Sequence, residues 1–545
     1  MKFNKFLTLM MVLVLSVVLA ACSGDDSSDS STDGDKNTDG SGEPKELNLV
    51  FSAEPPSLHP ALATDTTSGT VIQNIFEGLM TMENGVPKEA AAESYEVSED
   101  LLTYTFHLRD ATWTNGDPVT AEDFAYSWKW ALDPENLSEY ASILYPIKGA
   151  EAFNLGTGSA DDLGIKVVDE KTIEVTLEAP TPYFLELTAF KTMYPVHQAT
   201  QEANATWYAE ADSIVSNGPY TLTEWVHNGS MVLTKSDTYW DKDNVNIDTV
   251  NIEMVESETT QMTKFDSGEI DFLGTNYGSI ALDAIDRLKS EGTLNVAEYS
   301  GIYWYKLNTT DPVMKNVNIR KALALAIDRE GLITNITKGE QQPALGIVPN
   351  AVEGFGDDEG YFKDADFAAA KEYLATGLKE LGLSDASELE ISLSYNTSEA
   401  HAAIAQFIQQ GWNKELGINV TLNNAEWQVY LEQLNTFDYQ VGRMGWIADY
   451  NDAYSFLEMY NSAENGNNDT GWENAEYTDL LKQSATETDA AKRVELMKQA
   501  EAIMIEEMPV APIYFYTNLY VAKDGVTGME PDALGNISLK NADIK

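Results

Sequence analysis

The chain has 545 residues, 43% of them hydrophobic and 10% aromatic, enough apolar material for a large core and too much for a wholly disordered protein. At roughly 100–200 residues per domain, that length predicts about three domains. Its 88 Asp and Glu against 34 Lys and Arg give a formal charge of −54, a field that repels phosphate backbones and argues against nucleic acid as a partner.

The chain opens with Lys2 and Lys5, followed by the apolar run Leu7 to Ala20. That run has signal-peptide length and is short for a membrane span. It ends in Leu19-Ala20-Ala21-Cys22, which resembles the lipobox of bacterial lipoproteins. The resemblance implies a signal peptide over 1–21, acylation of Cys22, and a lipid anchor in the cell membrane. Ser23 to Pro44 holds no aliphatic or aromatic residue and is rich in Ser, Asp and Gly. It reads as a solvated acidic tether, 22–44 with its cysteine. No later stretch approaches the ~18 consecutive apolar residues of a spanning helix.

The body begins with a strand at Lys45 to Ser52, broken by Pro55 and Pro56. Val71 to Met80 predicts a helix with Ile72, Ile75, Phe76 and Leu79 on one face. Leu102, Tyr104, Phe106 and Leu108 alternate with Thr103, Thr105 and His107 as in a strand, and Asn115 to Pro118 reads as a turn. Thr120 is placed to cap a helix, with Asp123 three residues on. Further strands are predicted at Lys171 to Glu178, Tyr220 to Trp225 and Ser230 to Thr234, and an amphipathic helix at Asn318 to Arg329. Beyond it come a helix at Phe367 to Leu381, a strand at Leu389 to Tyr395, a helix at Ala402 to Leu416 and a strand at Asn419 to Asn424. Helical patterns run from about Ala475 to Glu507, and the strand Ala511 to Val521 comes last. Strands and helices mix throughout, so the fold class is α/β with more than one lobe.

Catalytic signatures are missing from the sequence. It has no G-x-S-x-G, no H-E-x-x-H and no phosphate-binding glycine loop. Cys22 is the only cysteine, so no intrachain disulfide or cysteine metal cluster can form. The histidines, His59, His107, His197, His227 and His401, are too far apart for helical ligand spacing. No catalytic residue, metal or other cofactor is expected.

Several stretches in matching order are similar to the solute-binding proteins of oligopeptide and dipeptide ABC importers. They are Leu102 to Arg109 with Trp113, Asn115 to Phe124 and Tyr126 to Trp128; Asn217 to Tyr220; Gly268 to Asp271; Asn318 to Arg329; and Gly445 to Asp452. The resemblance implies a bilobal periplasmic-binding-protein-like fold (type II, cluster C) with an extra inserted domain. Domain I would comprise 45–76, 200–300 and 518–545, domain II 77–199, and domain III 301–517. It also implies a monomeric, lipid-anchored receptor on the outer face of the bacterial membrane. Such a receptor closes over an oligopeptide and delivers it to an ABC permease.

Site residues follow from the same resemblance. Asp449 would take the peptide ammonium, since an unpaired buried charge costs several kcal/mol; read from its segment alone, it is a turn or cap aspartate. Ala63, Thr64 and Thr66 on one lobe, with Gly445, Trp446 and Ile447 on the other, would pair with the peptide backbone. Tyr140, Tyr299, Trp304, Trp427, Trp446 and Tyr516 would line the cleft, although each residue type also serves cores. Arg443, His401 and Lys306 would face the peptide carboxylate; Arg443 reads equally as a structural ion pair and His401 as a helix cap. A dipeptide, a nickel complex, a sugar or a signalling peptide remain alternative ligands. A secreted hydrolase is the alternative class.

Overall fold

The computed structural model describes residues 44–83, 85–355 and 360–545. The expected signal peptide, Cys22 and the tether up to Glu43 lie outside the described residues. The rest is organised around three sheets. In the first, Glu46–Phe51 runs parallel to Thr249–Met254, which continues antiparallel to Ser230–Lys235 and Tyr220–Val226. The second is antiparallel, in the order Ala92–Val97, Thr103–Leu108, Thr172–Thr176, Ile165–Asp169. Along Thr103–Leu108, Tyr104, Phe106 and Leu108 are buried and the intervening residues half-buried, the period of two that the sequence carries.

The third sheet has seven strands. Its centre is Asn295–Leu307, flanked by Val510–Ala522 and Val441–Ile447; Glu390–Asn396 and Asn419–Ala425 extend it on one side, Phe272–Gly274 on the other, and the short Gln342–Pro343 also pairs with Val510–Ala522. The two longest strands have 13 residues each and change register between Glu298 and Ile302. The expected cuts at 300/301 and 517/518 both fall inside these strands.

Two helices differ from the sequence pattern, each for a tertiary reason. The helix expected over Val71 to Met80 forms as Thr66–Ile75. It starts early because the Asp65 carboxylate accepts from the Ser68 N–H at 3.0 Å. It stops early because Asn217 and Gly218 take the backbone that follows. Gly218 N–H donates to the Ile75 carbonyl at 2.8 Å, and the Asn217 amide exchanges two hydrogen bonds with the Glu77 backbone, both 3.0 Å. A Cβ on Gly218 would stand 2.5 Å from the Ile75 carbonyl carbon, so this approach requires glycine.

The pattern Asn318 to Arg329 is interrupted: one helix covers Val317–Leu325 and a short one Arg329–Leu332. The fully buried Arg329 guanidinium donates to the carbonyls of Ala324, Ile327 and Pro512. It satisfies helix-end carbonyls that another helical turn would otherwise have used. The helix at Ala121–Leu132 starts where expected, with the Asp123 carboxylate accepting from the Thr120 N–H at 2.8 Å.

Candidate functional site

The largest set of predicted site residues meets at a cavity of about 450 Å³. Twelve of them line it: Thr64, Thr66, Tyr140, Tyr299, His401 and Trp427, and Arg443, Gly445, Trp446, Ile447, Asp449 and Tyr516. The segment from Arg443 to Asp449 forms one wall. Its strand, Val441–Ile447, pairs with Asn295–Leu307 along its length, Gly445 opposite Tyr303 and Ile447 opposite Gly301. On its other edge it pairs with Glu390–Asn396 only at Val441 and Gly442. From Arg443 onward, that edge has no strand partner among the described residues. An unpaired strand edge on a cavity is a template for an added strand.

Gly445 sits where a Cβ would come 2.4 Å from the Tyr516 hydroxyl. Its lack of a side chain lets that ring lie against the strand, where the hydroxyl accepts from Arg443 Nη2 at 3.1 Å. Arg443 also donates to Asn396 Oδ1 at 3.2 Å and stacks over the Tyr303 ring at 4.8 Å. Its buried Nε has no partner, and among the described residues no carboxylate pairs with it. His401 stands 3.4 Å from the Tyr303 hydroxyl. Burial, then the Arg443 charge, hold its imidazole well below its ordinary range and therefore neutral.

At the other end of the wall, the Asp449 N–H donates to Ser455 Oγ at 2.9 Å, which fixes the turn. The Tyr140 hydroxyl is 3.5 Å from the Asp449 carboxylate, and the Tyr140 ring stacks at 6.2 Å on Trp446. Burial pushes the Asp449 carboxyl up to about 7, against the pull of the Lys191 ammonium. Beside it, burial and the Asp449 charge push Glu458 up to about 8. A full cation brought to this corner relieves both acids.

Ala63, Trp304 and Lys306 are not on the cavity wall. Ala63 is buried beneath the turn that ends on Thr64, its N–H bonded to the His59 carbonyl at 3.1 Å. Trp304 and Lys306 alternate with Tyr303 and Tyr305, so the pleat sends them to the opposite face of the sheet. There Trp304 packs edge-on to Tyr460, and Lys306 pairs with Asp469 and with the Asn467 carbonyl. Sequence reasoning missed Asp65, Glu186, Phe190, Lys191 and Asn536, which also line the cavity. One signal was available for Lys191: it is a lone cation in the run Leu187 to Met193.

Among the described residues, no three His, Cys, Asp or Glu side chains group as metal ligands, and no helix is long and apolar enough to cross a membrane. A cavity walled by an open strand edge is a place where an extended ligand can bind. A family model described as "Bacterial extracellular solute-binding proteins, family 5 Middle" matches residues 86–468. The chain belongs to this family, whose peptide-transport members serve ABC importers.

Its sequence is 50% identical over 540 residues to the oligopeptide-binding protein OppA of Bacillus subtilis (strain 168), covering 98% of each chain. Its structure superposes with a TM-score of 0.87 on Haemophilus influenzae OppA in complex with RPPGFSPFR, at 29% identity, over 92% of this chain and 99% of the other. The TM-score is also 0.87, at 30% identity and the same coverages, against the Escherichia coli murein tripeptide-binding protein MppA. Against the unliganded open form of MppA it falls to 0.61, over 92% of this chain and 98% of that one.

Proposed function

We propose that this chain is a receptor that encloses an extended oligopeptide between its lobes and hands it to a membrane ABC permease, held at the outer face of the membrane by lipid on Cys22. The observation that carries the reading is the wall from Arg443 to Asp449. It has a half-buried cation at one end, a half-buried acid at the other, and an unpaired strand edge between them. A peptide presents the complement: an ammonium for Asp449, a carboxylate for Arg443, and backbone groups for the open edge. Thr64 and Thr66 offer the facing segment, and Tyr140, Tyr299, Trp427, Trp446 and Tyr516 enclose the guest. Asp449 lies six positions beyond Arg443, a span of at most roughly 20 Å that an extended guest of about six residues bridges.

The relatives' peptide ligands support this reading, as does the better superposition on MppA than on its open form, which fits a closed state. The register change in the two long strands offers a hinge between domains I and III. Trp304 and Lys306 act behind the wall, as support for the sheet that carries it. The receptor acts as a monomer.

Calorimetric titration of Asp449→Ala tests the reading. Free tetra- and pentapeptides lose about 100-fold in affinity, the loss expected when one partner of a buried charge pair is removed, while N-acetylated peptides lose little. Equal losses for both would reject the ammonium role. Mass spectrometry of material that co-purifies with the chain gives a second test: short peptides support the reading, and a metal complex or sugar replaces it.

A further inference from the structure

Among the described residues, Lys191 is the one lysine on the cavity wall. It is 6% exposed, yet its ammonium makes no hydrogen bond or ion pair among the described residues. Its stem runs over Gly69, whose Cβ, if present, would meet Lys191 Cδ at 3.4 Å. The ammonium rests 4.1 Å from the centre of the Phe190 ring and 4.7 Å from that of Tyr140. Ring faces hold a cation weakly and leave its three donors unfilled.

The charged and titratable groups around it are Asp449 from the far wall, Asp65 at the start of the helix Thr66–Ile75, and Tyr140 from the inserted region; Glu458 lies behind Asp449. Burial draws Lys191 below its ordinary range, and Asp449 and Asp65 pull it back. Neither acid touches it. This corner therefore presents separated charges to a guest: an acid that attracts the peptide ammonium and, a short distance away, a cation that repels it. A neutral N-terminal residue satisfies only the first. A residue with its own carboxylate satisfies both, because an acidic side chain places a negative charge a few ångströms from the backbone ammonium.

We propose that Lys191 is a specificity-determining residue that selects peptides with an acidic side chain in their first two residues, pairing its free ammonium with that carboxylate. This rests on the reading of Asp449 as the ammonium's partner.

The experiment is calorimetric titration of the purified chain with Glu-Ala-Ala-Ala against Gln-Ala-Ala-Ala, and with Ala-Glu-Ala-Ala against Ala-Gln-Ala-Ala. In the unaltered protein, the acidic member of at least one pair binds about tenfold more tightly. In Lys191→Met the ratio falls to about one, and in Lys191→Arg it is retained. Should Lys191→Met fail to fold, Lys191→Gln makes the same comparison. A ratio near one in the unaltered protein, or one that survives loss of the lysine, overturns the inference alone; Lys191 then serves only as a distant counterion to Asp449. Failure of all four peptides to bind overturns the peptide reading as well.

Discussion

Lys306 and Lys191 are both nearly removed from solvent, 2% and 6% exposed, but their surroundings differ. Lys306 lies behind the central sheet, where the Asp469 carboxylate and the Asn467 carbonyl fill its donors. Lys191 faces the cavity, where two aromatic rings hold it and no acceptor reaches it. The first arrangement is complete without a guest. The second leaves part of its interaction energy unused until a guest arrives. The same contrast separates the paired edge of the strand Val441–Ile447 from the edge left open after Gly442. Lys306, which supports the fold, is satisfied within the protein, whereas Lys191 on the cavity wall is left incomplete.

The largest effect that tests this contrast comes from Lys306→Met. It leaves Asp469 buried without its cation and lowers stability by about 3–5 kcal/mol, read as a shift in the urea midpoint. A shift below about 1 kcal/mol would mean that Lys306 is not held as described. Next is the pH dependence of peptide affinity. Burial pushes the Asp449 carboxyl up to about 7, and an ammonium pairs with the ionised form. As pH falls through 7, protons compete with the peptide, and affinity drops by up to about tenfold per pH unit. At higher pH the peptide's own α-amino group, near 7.7–8.0, limits binding. Free peptides therefore show a maximum between those values, and N-acetylated peptides show neither limb.

Glu458 is pushed up to about 8, above Asp449, so it is neutral while Asp449 titrates, and Glu458→Gln leaves the acidic limb in place. A limb that moved to lower pH would show that Glu458 carries charge beside Asp449. The smallest effect on stability is in Lys191→Met. With no partner left behind, the guest-free protein changes by about 1 kcal/mol or less. A loss of 3–5 kcal/mol would show that Lys191 is structurally paired, like Lys306.

Much of the fold was legible where local rules were uncontested. The helix Phe367–Leu381 and the strand Thr103–Leu108 follow their periodicities almost to the residue. Legibility failed where distant segments intervened. Asn217 and Gly218 end the helix at Ile75 from 140 residues away, and Arg329 divides a pattern that reads as one helix. In the run Tyr303-Trp304-Tyr305, three consecutive aromatic rings give the sequence no sign of which one faces the cavity. Only the pleat assigns Tyr303 to the Arg443 side and Trp304 to the Tyr460 side.

The sequence by itself determined the α/β class and the family, because periodicity and the ordered segments from Leu102 to Asp452 are properties of the linear chain. It also carried the acidic charge and the missing catalytic motifs. The tertiary structure alone decided which candidates share one cavity and which strand edge stays open. It also decided which buried lysine lacks a partner, because each of these depends on groups brought together from segments far apart in the chain.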